Sequence, residues 1–183
     1  GTIVLQGAIN GLGSAIIAAH TTARKISSLC MMVLSTLANS MATFAGQNHG
    51  AGRYDRIRRG LKQILIISMA VSTVEIIAIY LAGGLLVRGI SGSSNPEIIN
   101  TAVFYLKFDL PFYYVLAIIL ITRATLQGMG SKIAPIAASI MELFLKIFTA
   151  GFLVRKFAYT GVAMCEPIIW TVCAVYILIV FFM

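Results

Sequence analysis

The sequence is poor in charged residues, and this scarcity decides its broad class. Only 11% of its 183 residues are charged, whereas 59% are hydrophobic. A soluble domain carries about 25% charged residues and about 45–50% apolar ones. Side chains that face lipid need no charge, so long apolar runs with few charges are typical of membrane helices. We therefore expect an integral, multi-pass membrane protein.

Cysteine and histidine are also scarce, with three and two copies. Cys30, Cys165 and Cys173 lie in apolar stretches without a CxxC spacing, and His20 and His49 are far apart. We predict packing thiols, with no disulfide framework and no metal site. The sequence also lacks a hydrolase triad and a nucleotide-binding loop with its Lys-Ser/Thr pair. We therefore predict that the chain is not an enzyme and needs no cofactor.

Acidic residues are the scarcest charged type, with six Asp and Glu against fourteen Lys and Arg and a net charge of +8. Such an excess can indicate nucleic-acid binding, which usually needs a basic patch or stripe. Here the cations lie in short gaps between apolar runs. That distribution follows the positive-inside rule of membrane proteins, so no nucleic-acid partner is predicted.

The chain contains six apolar segments, and five of them are long enough to span a membrane. A helix needs about twenty residues to cross ~30 Å of hydrocarbon. Runs such as "QILIISMAVSTVEIIAIYLAGGLLV" do not alternate as barrel strands do, so we predict an all-α membrane lobe. Asn95 or Ser94 is expected to cap the fourth segment, with Pro96 in its first turn. The predicted spans are 1–12, which starts inside a helix and is partial, 14–46, 57–87, 98–126, 132–154 and 161–183.

The stretch "QNHGAGRYDRIRRGLKQ" (47–63) is the most basic part of the chain. The even-numbered connections hold seven cations and the odd-numbered ones three. The positive-inside rule therefore places loops 47–63 and 127–135 in the cytoplasm, in a plasma (inner) membrane. Large apolar or aromatic residues occur at helical spacing in this stretch and directly after it, at Tyr54, Ile57, Leu61 and Ile64. It is either a short amphipathic helix at the headgroup level or a plain topogenic loop.

Ionisable residues at bilayer depth cost at least ~2.5–3.5 kcal/mol each, so they are functional candidates. Glu142 and Lys146 are spaced i, i+4 and are predicted to pair, either as a structural clip or inside a cavity. Glu75 has no partner at i±3 or i±4 in its own helix. Asp109 and Glu166 lie near helix ends, which favours an interfacial position for both.

Polar residues on the first two segments suggest a cavity. Arg24 and Lys25 lie about three turns into the second segment and either line a wet cavity or snorkel outward. Prolines interrupt the later helices at Pro111, Pro135 and Pro167, and broken helices are tolerated where they line a cavity. The predicted cavity residues are Gln6, Asn10, Thr21, Lys25, Asn39, Glu75, Glu142 and Lys146.

Four stretches resemble the second half of a MATE-family transporter (multidrug and toxic compound extrusion): "AINGLGSAIIAAHTTARKI", "ATFAGQNHGAGRYDRIRRG", "RATLQGMGSKIAPIAASIMELFLKI" and "GVAMCEPIIW". The resemblance covers nearly the whole chain. It implies a six-helix lobe with a truncated first helix, half of a twelve-helix transporter whose partner is an N-terminal lobe. It also implies an antiporter that exports small organic, often cationic, compounds by a Na⁺ or H⁺ gradient. Some members hold the coupling ion by an acid midway along the fourth helix of this lobe, where this chain reads "PFYYVLAII". The sequence therefore locates no coupling site in this lobe, and the site is expected in the N-terminal lobe if this lobe lacks it.

Two other functions fit the same residues. A flippase for lipid-linked saccharides, from the same wider superfamily, would need a strongly cationic cavity, to which Arg24, Lys25 and Arg123 could contribute. A membrane scaffold without transport would need helix faces with small residues and no unpaired buried charge. Glu75 argues against the scaffold.

Overall fold

The computed structural model describes Ile9 and residues 13–182, and the predicted residues Gln6 and Asn10 lie outside these. The described part is helical and contains no strand, as the all-α class requires. Five of its helical segments are long and apolar enough to cross a membrane. Most of the partial first span, 1–12, is likewise outside the described residues.

The helices follow one another through short turns. We number them α1 (Ser14–Gly50), α2 (Tyr54–Ser91), α3 (Pro96–Asp109), α4 (Tyr113–Gly128), α5 (Ile133–Val154) and α6 (Lys156–Phe181). A 3₁₀ turn, Leu110–Phe112, joins α3 to α4, and the three together form one span, Pro96–Gly128. The observed bounds differ from the predicted ones by at most five residues, the largest difference being the start of α6.

Local sequence explains where α3 begins. The side chain of Asn95 accepts a hydrogen bond from the backbone N–H of Glu97 at 2.9 Å, and Pro96 occupies the first turn. This cap satisfies a backbone N–H that the first helical turn would leave unpaired, and proline fits there because it has no N–H to satisfy. The predicted cap of the fourth segment is thereby confirmed.

The basic stretch is not a separate surface helix. α2 begins at Tyr54 and continues without a break to Ser91, a length of 38 residues. At ~1.5 Å per residue it is about 57 Å long, well beyond the ~30 Å hydrocarbon core. The interpretation as a short helix that turns before the span is therefore wrong. Arginine and lysine favour helix, so nothing in the sequence interrupts the hydrogen-bond ladder there.

The core of the lobe lies where α1, α3, α4 and α6 meet. Tyr105, Leu106 and Tyr113 are almost completely buried there, and the ring of Tyr113 stands edge-on to Trp170 at 5.8 Å. Large apolar side chains on the outside of the bundle remain exposed, among them Leu81 at 83% and Phe148 at 70%. Such a belt is stable in lipid, which surrounds apolar side chains without penalty.

α5 and α6 form an antiparallel hairpin. The backbone leaves helical geometry at Ala158, with φ 49° and ψ −129°. Close by, Gly161 packs so tightly on the carbonyl of Leu153 that a Cβ atom would collide with it. The chain therefore folds back on itself here, which brings the middle of α5 opposite the middle of α6.

α1 and α4 also approach each other closely. Gly46 lies against the carbonyl of Gly128, and a Cβ atom on Gly128 would collide with the backbone of Ala42. Small residues that allow backbones to meet are typical of contacts between membrane helices.

We expect Gly128→Ala to destabilise the full-length protein by about 1–3 kcal/mol, since an added methyl forces the two helices apart. Gly84 has no atom within 4 Å of the position of a Cβ. Gly84→Ala is therefore the matched control, and we expect it to be neutral or slightly stabilising because alanine favours helix. Unfolding in detergent measures both, and equal effects would refute the close-contact explanation.

Candidate functional site

The predicted pair on α5 is formed. The Nζ atom of Lys146 lies 3.0 Å from Oε1 of Glu142, and both side chains are half-buried. An i, i+4 spacing places the two groups on the same face of the helix, which is why the sequence predicted the contact.

This pair belongs to a longer row of charges. Nζ of Lys146 is also 3.6 Å from Oε1 of Glu166, and that oxygen is 3.8 Å from Nη1 of Arg24. At the other end Oε2 of Glu142 is 4.0 Å from Nη1 of Arg123. Five charges thus alternate in sign across α1, α6, α5 and α4. We call them the ion row, and its members are Arg24, Glu166, Lys146, Glu142 and Arg123.

Glu166 is the best-buried member of the ion row. Only 7% of its side chain is exposed, against 24% for Lys146 and 35% for Arg24. The expectation that it is interfacial is therefore wrong. The hairpin between α5 and α6 places it opposite Lys146, twenty positions earlier in the chain. An acid preceding a proline in an apolar run, with a lysine on the preceding antiparallel helix, was the signal that could have identified it.

Asp109 is a second buried acid that the sequence led us to place at the interface. It is 0% exposed, and its carboxylate oxygens form no close hydrogen bond among the residues that the structure describes, although the Ser27 hydroxyl is near enough to interact with the carboxylate. It ends α3 directly before the 3₁₀ turn at Pro111, so the break in the helix lies in the core. Arg24 and Glu166 interact with it electrostatically.

Groups around Asp109 complete a polar interior. The hydroxyl of Tyr113 donates to the backbone carbonyl of Ser27 at 3.2 Å, while the Ser27 hydroxyl is buried without a hydrogen-bond partner in the described chain. Nδ1 of His20 lies 3.4 Å from the hydroxyl of Tyr159, and the His20 ring stands edge-on to Tyr105 at 5.0 Å. A buried carboxylate that lacks a close hydrogen bond is costly unless it takes up a proton or a cation, or gains a partner.

The predicted cavity residues on α1 lie together on one exposed face. At about 100° per residue, seven exposed polar residues of this helix share an arc of about 120°. We call this set the α1 polar face, and its members are Thr21, Lys25, Ser28, Thr36, Asn39, Ser40 and Thr43. Most of its hydroxyls donate to a carbonyl one turn earlier in the helix, which lowers their cost in an apolar environment. Lys25 forms no ion pair within the described part of the chain.

Glu75 belongs to neither group. It is half-buried on α2, and its Oε2 atom has no hydrogen-bond partner in residues 13–182. The hydroxyl of Ser72, one turn earlier, is buried and unpaired in the same way. The structure thus brings Glu142 and Lys146 into the ion row and Thr21, Lys25 and Asn39 onto the α1 polar face, and it leaves Glu75 apart.

Loss of the shared acid should weaken the lobe more than loss of its exposed neighbour. We expect Glu166→Gln to destabilise the full-length protein by about 2–3 kcal/mol, somewhat less than the ~3–5 kcal/mol of a fully buried pair because its two cations are partly exposed. Glu142→Gln should reduce stability less, since Lys146 still forms its ion pair with Glu166. Glu97→Gln, on an exposed helix start, is the matched control.

A double-mutant cycle separates pairing from other effects of the same substitutions. Adding Lys146→Met to Glu142→Gln should recover part of the stability lost by Glu142→Gln alone, because it removes the cation left short of a partner. Denaturation in detergent of the two single variants and the double variant supplies the cycle. Strictly additive effects would mean that the two charges are not coupled.

Comparison with known proteins identifies the lobe. The sequence matches the model of the MatE family over residues 1–151. The chain is also similar to a solved MOP superfamily transporter from Pyrococcus furiosus, described as having a binding pocket of reverse polarity that suggests a different function. The two share 17% identity and a TM-score of 0.87, over 96% of this chain and 39% of that one. No curated protein matches the chain.

The structural likeness shows the fold, in which the chain spans 39% of that transporter's length. The family match covers most of the chain and includes α1 to α4 and most of α5. Both findings agree with the resemblance that the four sequence stretches carried. The chain therefore belongs to the MatE family, and it forms an all-α membrane lobe of a transporter.

Proposed function

We propose that the full-length protein is a secondary active antiporter that exports small organic compounds by a Na⁺ or H⁺ gradient. The observation that carries this proposal is Asp109, a buried acid that forms no close hydrogen bond in the described residues and lies beside a row of five charges. A bundle that served only as a scaffold would gain nothing from such an acid, whose burial is costly. Asp109 has a role if it binds a cation in one state of the transporter and releases it in another.

Asp109 is then the coupling acid that this lobe offers. The ion row carries one more cation than acids, so an ionised Asp109 balances it and a protonated or cation-bound Asp109 leaves it positive. The titratable groups that surround Asp109 come from several helices and are Arg24, Cys30, Tyr105, Tyr113, Tyr159 and Glu166. Arg24 and Glu166 are both members of the ion row, so a change of charge at Asp109 reaches the row through these two groups.

The α1 polar face supports a particular charge of substrate. Several of its side chains are exposed on a membrane-spanning helix, and their polarity fits a water-filled cavity shared with a second lobe. Lys25 brings an unpaired positive charge to that face, and no acid of the described residues lies within ion-pair distance of it. A cation would be repelled there, so a neutral or anionic substrate fits better than the cationic one that the family resemblance implies. The reverse polarity described for the Pyrococcus furiosus transporter is consistent with such a difference within the superfamily.

The flippase alternative has less support. A cavity for a pyrophosphate needs several free cations, and the sequence offered Arg24, Lys25 and Arg123 for this role. Arg24 is engaged with Glu166, while Arg123 approaches Glu142 and donates to Ser139. Among the residues that the structure describes, this leaves Lys25 as the one of the three without an ion pair.

Transport in vesicles tests the antiporter. We expect full-length protein in liposomes to move at least one compound of a panel of cationic, neutral and anionic dyes when a Na⁺ or pH gradient is imposed. Asp109→Asn should abolish the response to the gradient, since the amide cannot exchange H⁺ or Na⁺. Asp55→Asn, in the basic start of α2, is the matched control and should transport normally.

Lys25→Gln tests the choice of substrate in the same vesicles. Removing the positive charge should lower transport of anionic dyes about tenfold relative to that of cationic ones, as one charge contact is worth roughly 1.4 kcal/mol. Lys156→Gln, at the start of α6, is the control. If no dye responds to either gradient, the antiporter is excluded and a flippase assay with a lipid-linked saccharide becomes the next experiment.

The orientation of the lobe is open to a direct test. We expect the turn after α1 to face the cytoplasm, because the even-numbered connections carry seven Arg and Lys and the odd-numbered ones three. In a background without native cysteines, Ser94→Cys should react with an impermeant thiol reagent on intact cells, and Ala51→Cys only after permeabilisation. Both positions are exposed. The reverse pattern would invert the topology.

A further inference from the structure

A groove runs along the first half of α2. It has a volume of about 800 Å³ and lies between α2, the turn after α4 and the end of α6. We call it the α2 groove, and its lining residues are Tyr54, Ile57, Arg58, Leu61, Lys62, Leu65, Ile66, Met69, Met129 and Phe181. This volume lies within the range of ~300–1,000 Å³ that is typical of binding sites for small ligands.

The chemistry of the α2 groove changes along its length. Ile57 and Leu61 are buried in its wall, and the residues farther along the helix are all apolar. Arg58 and Lys62 lie on its first two turns, and the lining contains no acid. A ligand that fills it must therefore combine a negative group at one end with a long apolar part at the other.

The two cations are available to such a ligand. Arg58 and Lys62 are exposed and form no ion pair within the part of the chain that the structure describes. The basic stretch around them contains a single acid, Asp55. Clusters of basic residues beside a membrane helix attract the anionic headgroups of lipids by about 1 kcal/mol per cation.

The length of the groove matches one leaflet of a bilayer. Arg58 and Met69 are eleven positions apart in a continuous helix, which corresponds to about 16 Å along its axis. Half of a ~30 Å hydrocarbon core is about 15 Å. A phosphate held at the basic end would thus place an acyl chain against Leu65 and Met69 down to the middle of the bilayer.

We propose that the α2 groove is a binding site for an anionic phospholipid. Its phosphate binds Arg58 and Lys62, and one acyl chain lies along the apolar part of the groove. The proposal is independent of the transported compound and of the coupling ion, since neither the ion row nor the α1 polar face contributes to this site.

Native mass spectrometry of the full-length protein tests the headgroup contact. Protein from nanodiscs that contain phosphatidylglycerol and phosphatidylethanolamine should retain phosphatidylglycerol preferentially. The variant Arg58→Gln with Lys62→Gln should lose this retention by about tenfold or more, as expected for two headgroup cations. The variant Arg56→Gln with Arg59→Gln removes two exposed cations of the same helix that do not line the groove, and it should lose less than about threefold.

Two neighbouring residues test the groove itself. Ile66 lines it and Ile67 does not, although both are exposed, at 60% and 50%. Ile66→Trp should fill the apolar part and release the lipid, whereas Ile67→Trp should retain it. Both substitutions place the same ring on the lipid-facing side of one helix, so a general effect on folding would affect both and would appear in their thermal stability.

A soluble competitor distinguishes a lipid from a free phosphate compound. Glycerol phosphate at millimolar concentration should not displace phosphatidylglycerol, because it lacks the acyl chain that the groove holds. Displacement would overturn the proposal in favour of a simple anion site.

Equal loss of lipid in the two double Arg/Lys variants would show non-specific attraction to the basic stretch. Equal retention in the two tryptophan variants would show that the retained lipid does not lie in the groove. Either outcome would also overturn the proposal.

Discussion

The interior of this lobe depends on one carboxylate, that of Glu166. A single oxygen of this residue lies within ion-pair distance of both Arg24 and Lys146, so it connects α1, α5 and α6. Three charged groups at bilayer depth are costly when they stand alone. Each of the three is tolerated here because the other two neutralise its charge. The charges of α1 and α5 can therefore be buried only when α6 is in place.

The backbone makes that arrangement possible. The turn at Ala158 and the close packing of Gly161 on Leu153 fold α6 back along α5. Without that reversal Glu166 would not lie opposite Lys146. On the other side of the lobe, the contact between Gly128 and Ala42 holds α4, which carries Arg123, against α1, which carries Arg24. Close packing of the backbone therefore positions the charged groups, and the ion pairs in turn hold the helices together.

The sequence predicted the contacts that depend on one helix, and it missed those between helices. Glu142 and Lys146 were identified because a spacing of four residues fixes their geometry in any helix. Glu166 and Asp109 were misplaced because burial depends on which helix faces which, and no periodicity along a single segment carries that information. The 3₁₀ break after Asp109 was visible as Pro111, but its depth in the core was not. In α2 the charged residues suggested a separate surface helix, although they are compatible with an uninterrupted helix that projects beyond the hydrocarbon.

That projection has a mechanical consequence. About 57 Å of rigid helix crosses a hydrocarbon core of ~30 Å, so a small tilt of α2 at the centre of the membrane becomes a larger displacement at its basic end. Ile57 and Leu61 pack this end of α2 against α1 and α4, so the basic end moves only with the bundle. A tilt of the whole lobe would therefore displace the exposed cations of this end together, relative to the lipid headgroups.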